Sequence, residues 1–123
     1  MKNQITDNQT LVTAIVEGAQ EKKARSIVTV DLSCIEYAPT QGFVIANGNT
    51  PIQVDAIADS IREYVEKKLG VRPYNYDGYQ NSQWIVLDYG TIYAHVFLPE
   101  YRNRYNLEQL WNDAPINTIP DLD

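Results

Sequence analysis

The chain has 123 residues, 44% of them hydrophobic and 21% charged, which suits one globular domain and excludes a wholly disordered or collagen-like chain. Sixteen acidic against ten basic residues leave a net charge of -6, so the basic face needed to grip phosphates is lacking, and a basic protein partner is favoured over RNA or DNA. The only cysteine, Cys34, has no disulfide partner within the chain, and one Cys with one His cannot assemble a zinc site, which fits a reducing, cytoplasmic setting. Met1 to Thr10 is polar without an apolar signal core, and no run approaches the roughly 18 apolar residues that cross a bilayer, so neither secretion nor a membrane span is expected.

From Asp7 to Ala24, Leu11, Val12, Ile15, Val16 and Ala19 recur at three- and four-residue intervals, the stripe of an amphipathic helix. Ser26–Leu32 and Gly42–Asn47 are short, largely β-branched or apolar runs that read as buried strands. Pro39 makes the segment between them a loop. The second helix is bracketed by Thr50 as N-cap, Pro51 at the first helical position and Gly70 as the stop. Its inner face carries Val54, Ile57, Ala58, Ile61, Val65 and Leu69, so it packs on a sheet.

Arg72–Ser82 is polar, with three tyrosines around Asp77-Gly78, and predicts a turn or an irregular edge strand. Trp84–Asp88 and Thr91–Phe97, joined at Tyr89-Gly90, predict a hairpin with a two-residue turn. Pro99 ends the second strand, and Asn106 with Gln109 three residues on resembles a capping box that opens a short helix through Trp111. Residues 1–114 are expected to form the domain. From Asn112 to Asp123 the chain has three Asp, two Pro, no basic residue and no periodic apolar pattern, and the acidic segment 115–123 is expected to be a mobile tail.

Side chains alternate across a strand, so Ile85, Leu87, Ile92, Ala94 and Val96 share one face of the hairpin, and all five are apolar. A turn that pairs Asp88 with Thr91 puts Trp84, Val86, Asp88, Thr91, Tyr93, His95 and Phe97 on the other, with Trp84 opposite His95. The first face is core. The second admits two readings: an aromatic and polar protein interface, or a face covered by further elements with Trp84 and His95 satisfied inside.

Motifs for chemistry are sparse. The only histidine, His95, lies in a strand with no Ser or Cys beside it, which argues against a catalytic nucleophile and base. Asp31 with Glu36, and Asp55 with Asp59, read as solvated carboxylates in preference to a metal site. Gly48-Asn49-Thr50, after a strand and before a helix, has the form of an anion cradle but lacks the lysine of a P-loop and the spaced glycines of a dinucleotide site. An ordinary helix cap accounts for it. No cofactor, metal or catalytic residue is assigned.

Two stretches carry a more specific signal. Phe43-Val44-Ile45-Ala46-Asn47-Gly48-Asn49-Thr50 is followed by Gln53 and by Ala56-Ile57-Ala58-Asp59. Trp84-Ile85-Val86-Leu87-Asp88-Tyr89-Gly90 is followed by His95-Val96-Phe97, and then by Arg104-Tyr105, Leu107-Glu108, Leu110-Trp111 and Asp113-Ala114. In order and spacing these resemble the ribosomal silencing factor (RsfS, or Iojap) family, whose ending runs W-x-x-x-D-Y-G, H-V-F, Y-x-L-E-x-L-W-x-D-A. The likeness spans residues 8 to 114. It departs from the family pattern at Gln41-Gly42, Asp77-Gly78 and Thr91, which affects contact details more than fold.

The resemblance implies a single α/β (α+β) domain with a mixed, about five-stranded sheet packed with helices, distantly nucleotidyltransferase-like but without the paired metal-binding aspartates of those enzymes. It implies a non-enzymatic translation repressor that binds protein uL14 of the large ribosomal subunit and sterically blocks subunit joining when nutrients are short, with room for a homodimer. A nucleotidyltransferase-like enzyme and a homodimeric interaction scaffold are the alternatives. Where the alternation and the resemblance coincide, Trp84, Asp88, Tyr93 and His95, extended by Phe97, Tyr101 and Tyr105, are the expected uL14-binding residues.

Overall fold

A computed structural model describes residues 7–122; the first six residues assigned to the domain, and Asp123 of the tail, lie outside the described residues. Helix α1 (Asn8–Glu21) opens on Asp7, whose carboxylate accepts the Thr10 N–H at 2.8 Å. Strands β1 (Arg25–Asp31) and β2 (Gly42–Asn47) follow, joined by the loop that Pro39 requires. Helix α2 (Pro51–Leu69) has the expected boundaries: the Thr50 hydroxyl accepts the Gln53 N–H, and Gly70 closes the helix at φ 69°, a left-handed conformation that favours glycine. Then come β3 (Asn75–Asp77), β4 (Trp84–Asp88), β5 (Ile92–Phe97), α3 (Pro99–Tyr105), α4 (Leu107–Leu110) and β6 (Ile116–Thr118).

The strands form one sheet in the order β3-β4-β5-β2-β1-β6, with β2 and β5 parallel and every other pair antiparallel. The architecture is therefore mixed α+β in one domain. Helices α1 and α2 lie together on one face, over Ile27, Val44, Ala46, Ile85, Leu87, Ile92, Ala94 and Val96. They approach closely at Gly18, where a Cβ would stand 2.9 Å from the Ile61 Cα, and the Ser60 hydroxyl donates to the Gly18 carbonyl at 2.7 Å. A second, smaller core on the opposite face joins Val28, Val30, Phe43, Ile45 and Phe97 to Leu32 and Ala114. The loop after β1 and helix α4 roof it through Ile35, Ala38, Leu107 and Trp111.

Two expectations are extended and two are corrected. The sheet has six strands, because β6 adds to the open edge of β1, pairing Ile116–Thr118 with Val30–Val28. The segment 115–123 is accordingly no free tail: Ile119 N–H reaches the Ile27 carbonyl at 2.9 Å, and the Asp121 carboxylate accepts the Ser26 N–H at 2.8 Å. Main-chain pairing to a neighbour carries this, and no apolar period marks it. Pro99 does more than end a strand, since it also starts α3 at its first position.

The hairpin register differs as well: Asp88 pairs with Tyr93, Trp84 with Phe97, and His95 with Val86. The Asp88 carboxylate accepts the Gly90 N–H at 2.7 Å, and Tyr89 N–H meets the Ile92 carbonyl, so a longer turn closes with Gly90 at φ 87°. The slip is two residues. Two is the side-chain period of a strand, so every residue keeps the face expected of it.

Candidate functional site

The roofed face of the sheet is covered only in part. Over β1 and β2 the loop and α4 close it, while over β3, β4 and the start of β5 it stays open. There Asn75, Asp77, Val86, Asp88 and Tyr93 line a shallow concavity of about 460 Å³, with two carboxylates and no basic side chain. Trp84 bounds the open region on the same face of β4, half-buried, its indole stacked 5.0 Å from the Phe97 ring and tilted by 40° against the Tyr105 ring at 4.7 Å. Tyr105, half exposed at the end of α3, extends the aromatic surface toward solvent.

Beneath Trp84 sits His95. It is 5% exposed, in the central strand β5, with the Phe43 ring perpendicular to it at 4.6 Å. Its Nδ1 accepts the Trp84 Nε1–H at 3.0 Å, which places the imidazole proton on Nε2. That Nε2 has no hydrogen-bond partner among the described residues. Burial alone pushes the imidazole down to about 3 from its usual 6.5, so the ring is neutral in any ordinary buffer.

Helix α3 is held at this end of the sheet by a buried arginine. The Arg102 guanidinium donates to both carboxylate oxygens of Glu108 at 3.1 and 2.9 Å, to the Ser26 carbonyl at 2.6 Å and to the Asn47 side-chain oxygen at 3.0 Å. One residue thus ties α3 and α4 to the ends of β1 and β2, and with them positions Tyr105 and Trp111.

Of the seven residues expected to contact a partner, Trp84, Asp88, Tyr93 and Tyr105 are accessible on the open side. His95 and Phe97 are buried beneath them and cannot themselves touch a docked protein; as contact residues they are corrected, because Trp84, Phe43 and α4 cover them. Tyr101 is half-buried, packs against both cores and lies under the Arg104 guanidinium at 5.1 Å. Sequence reasoning missed Asn75, Asp77 and Arg102, for none of which did a local pattern give a signal. It also missed the exposed Tyr37, stacked 5.6 Å from Trp111 on the roof.

Catalytic geometry is not what these groups form. His95 is sealed from solvent and its Nδ1 is engaged by an indole, and the Gly48-Asn49-Thr50 turn uses its N–H groups internally: the Gln53 side chain accepts the Asn49 N–H at 2.7 Å. Among the described residues no three His, Cys, Asp or Glu side chains converge as metal ligands. The arrangement suits docking: rigid aromatic anchors beside carboxylates on a flat, half-open sheet.

Comparison with known proteins agrees in kind. Residues 5–123 match the family described as "Ribosomal silencing factor during starvation". The chain belongs to that family. It is 34% identical over 117 residues to the ribosomal silencing factor RsfS of Bacillus subtilis (strain 168), covering 94% of this chain and 95% of the relative. It is 36% identical over 102 residues to the chloroplastic protein Iojap of Arabidopsis thaliana, covering 83% of this chain and 42% of that longer protein. The crystal structure of a Chromobacterium violaceum protein superposes with a TM-score of 0.81 at 28% identity, covering 87% of this chain and 88% of that one. The family match includes the 115–123 segment, consistent with its place in the sheet.

Proposed function

We propose that this protein silences translation in the cytoplasm by occupying the large ribosomal subunit, not by catalysis. In this reading the half-open face, with Trp84, Asp88, Tyr93 and Tyr105 at its centre and Asn75, Asp77 and Val86 beside them, docks on protein uL14 and keeps the small subunit from joining. The observation that carries it is the sheet face left uncovered over β3 and β4, where the Trp84 and Tyr105 rings border a concavity that is lined by two carboxylates and no basic side chain. Such a surface fits a basic protein partner: the aromatic anchors supply affinity and the carboxylates speed encounter. The family's name, ribosomal silencing factor, supports the ribosome as target.

Sedimentation of purified subunits tests this. The protein should travel with large subunits and reduce the fraction of joined ribosomes when small subunits are added. Absence from the large-subunit fraction, or unchanged joining at saturating protein, would overturn the proposal.

A further inference from the structure

A histidine is an expensive choice at position 95. The site is closed by aromatic rings, Phe43 at 4.6 Å, Trp84 at 5.9 Å and Phe97 at 6.1 Å, and a phenylalanine would fill such a box without the unmet Nε2 donor, at the cost of the acceptor that the Trp84 indole N–H uses. What the imidazole adds is one acceptor, Nδ1, set on a central strand hydrogen-bonded on both sides and 3.0 Å from the Trp84 indole N–H. Trp84 in turn is the half-buried aromatic at the rim of the open face, with Phe97 on one side and Tyr105 on the other. Stacking fixes the plane of an indole but leaves its direction within that plane open; a hydrogen bond to Nε1 fixes the direction.

We infer that His95 is a positioning residue for docking: its unprotonated Nδ1 holds the Trp84 indole in the orientation a partner meets. This rests on the docking reading given above. The ordering of a large side chain is then done in the free protein, so less rotamer freedom is lost on association and the anchor is released more slowly.

Two substitutions separate this role from plain packing. His95→Phe keeps the aromatic box and removes the acceptor together with the orphaned Nε2. His95→Asn keeps an oxygen near the position of Nδ1 but leaves a cavity. Stability should therefore place Phe near the native protein, since one unmet donor replaces another, and Asn below it, while affinity for purified large ribosomal subunits ranks Asn above Phe. The Phe variant should bind about fivefold or more weakly, the effect of one lost hydrogen bond, and the Asn variant close to the native level. The Trp84 indole N–H resonance should move and exchange faster with water in the Phe variant, and stay near its native position in the Asn variant. A Phe variant with an unmoved indole resonance and native affinity would overturn the inference. Trp84→Ala distinguishes the underlying reading: if that variant binds large subunits normally while the indole resonance does shift in His95→Phe, the docking face is wrong and His95 merely orients a structural tryptophan.

Discussion

The two faces of the sheet obey the same alternation and end in different states. On the helical face Val44, Ile85, Leu87, Ala94 and Val96 are closed under α1 and α2, and the strands β4 and β5 add no polar side chain to them; only the turn does, through the buried Tyr89 hydroxyl. On the other face a loop and the short α4 roof one half, and the hairpin there carries Trp84, Asp88, Tyr93 and His95 among its apolar residues. A complete roof selects for apolar contents, because a buried polar group without a partner is costly, as it is for the Tyr89 hydroxyl. A partial roof can keep polar and aromatic groups at its margin. Composition along a strand thus reports how well each face is covered, and the margin is where a partner has something to grip.

The largest expected effect comes from breaking the sealed face. Leu87→Ala removes a side chain that is fully buried in the larger core, and should cost about 3 kcal/mol in urea denaturation. The fraction that remains folded should still sediment with large subunits. A loss of binding without loss of stability would mean that the two faces are not functionally distinct. Trp84→Ala is the converse test on the open face. Binding to large subunits should weaken by roughly 30-fold, about 2 kcal/mol, while the denaturation midpoint falls less than for Leu87→Ala. If the melting temperature falls sharply and the folded fraction binds normally, Trp84 belongs to the second core and not to an interface.

How far this contrast could be read in advance depends on the range of the forces involved. The limits of α2 were legible because a threonine cap, a proline at the first position and a left-handed glycine act within a few residues. The separation of the hairpin residues into two faces was legible too, and survived a wrong register because the slip equalled the period of a strand. The turn itself misled: Tyr89-Gly90 suggests a two-residue connection, but the Asp88 side chain captures the Gly90 N–H and lengthens it. The burial of His95 was one of two readings the alternation left open, and the choice could not be made locally, since the cover over His95 and Phe97 comes from Phe43 and from α4, remote in sequence. Nor was β6, an exposed three-residue strand that exists because β1 offers it an edge. The Arg102 network likewise joins residues 26, 47 and 108, which no local pattern connects.

A titration sharpens the comparison at the boundary between roof and opening. His95 is neutral in the fold at about 3 and would titrate near 6.5 once unfolded. Between those values the unfolded chain binds the extra proton, so stability rises with pH. The contribution is complete above pH 6.5 and is lost progressively as the pH falls toward 3, at no more than about 1.4 kcal/mol per pH unit. Other acidic groups titrate in the same range, so the quantity to measure is the stability difference between the native protein and His95→Phe. That difference should be flat above pH 7 and shift against the native protein as the pH is lowered. A difference independent of pH would mean that the imidazole is accessible to solvent in the fold, and that the roof is more open than the packing around it indicates.

The smallest effect concerns charge at the open face. Asp88 is half-buried beside the concavity and has two tasks: one carboxylate oxygen accepts the Gly90 N–H that shapes the turn, and the negative charge faces any docking partner. Asp88→Asn separates them, because the amide keeps an oxygen for the turn and removes the charge. The fold should therefore be nearly unaffected, in contrast to Asp88→Lys, which would disturb the turn as well. Rim charges act mainly on encounter, so the association rate with large subunits should drop a few-fold at low salt while the dissociation rate changes little. Surface charges are screened beyond about 10 Å at 0.1 M ionic strength, so the native and Asn rates should converge as salt is raised. Equal association rates at low salt would place Asp88 outside the docking surface and confine its role to the turn. A rise in dissociation rate at all salt concentrations would instead make it a direct, desolvated contact, and would move the centre of the interface from Trp84 toward the β3 edge.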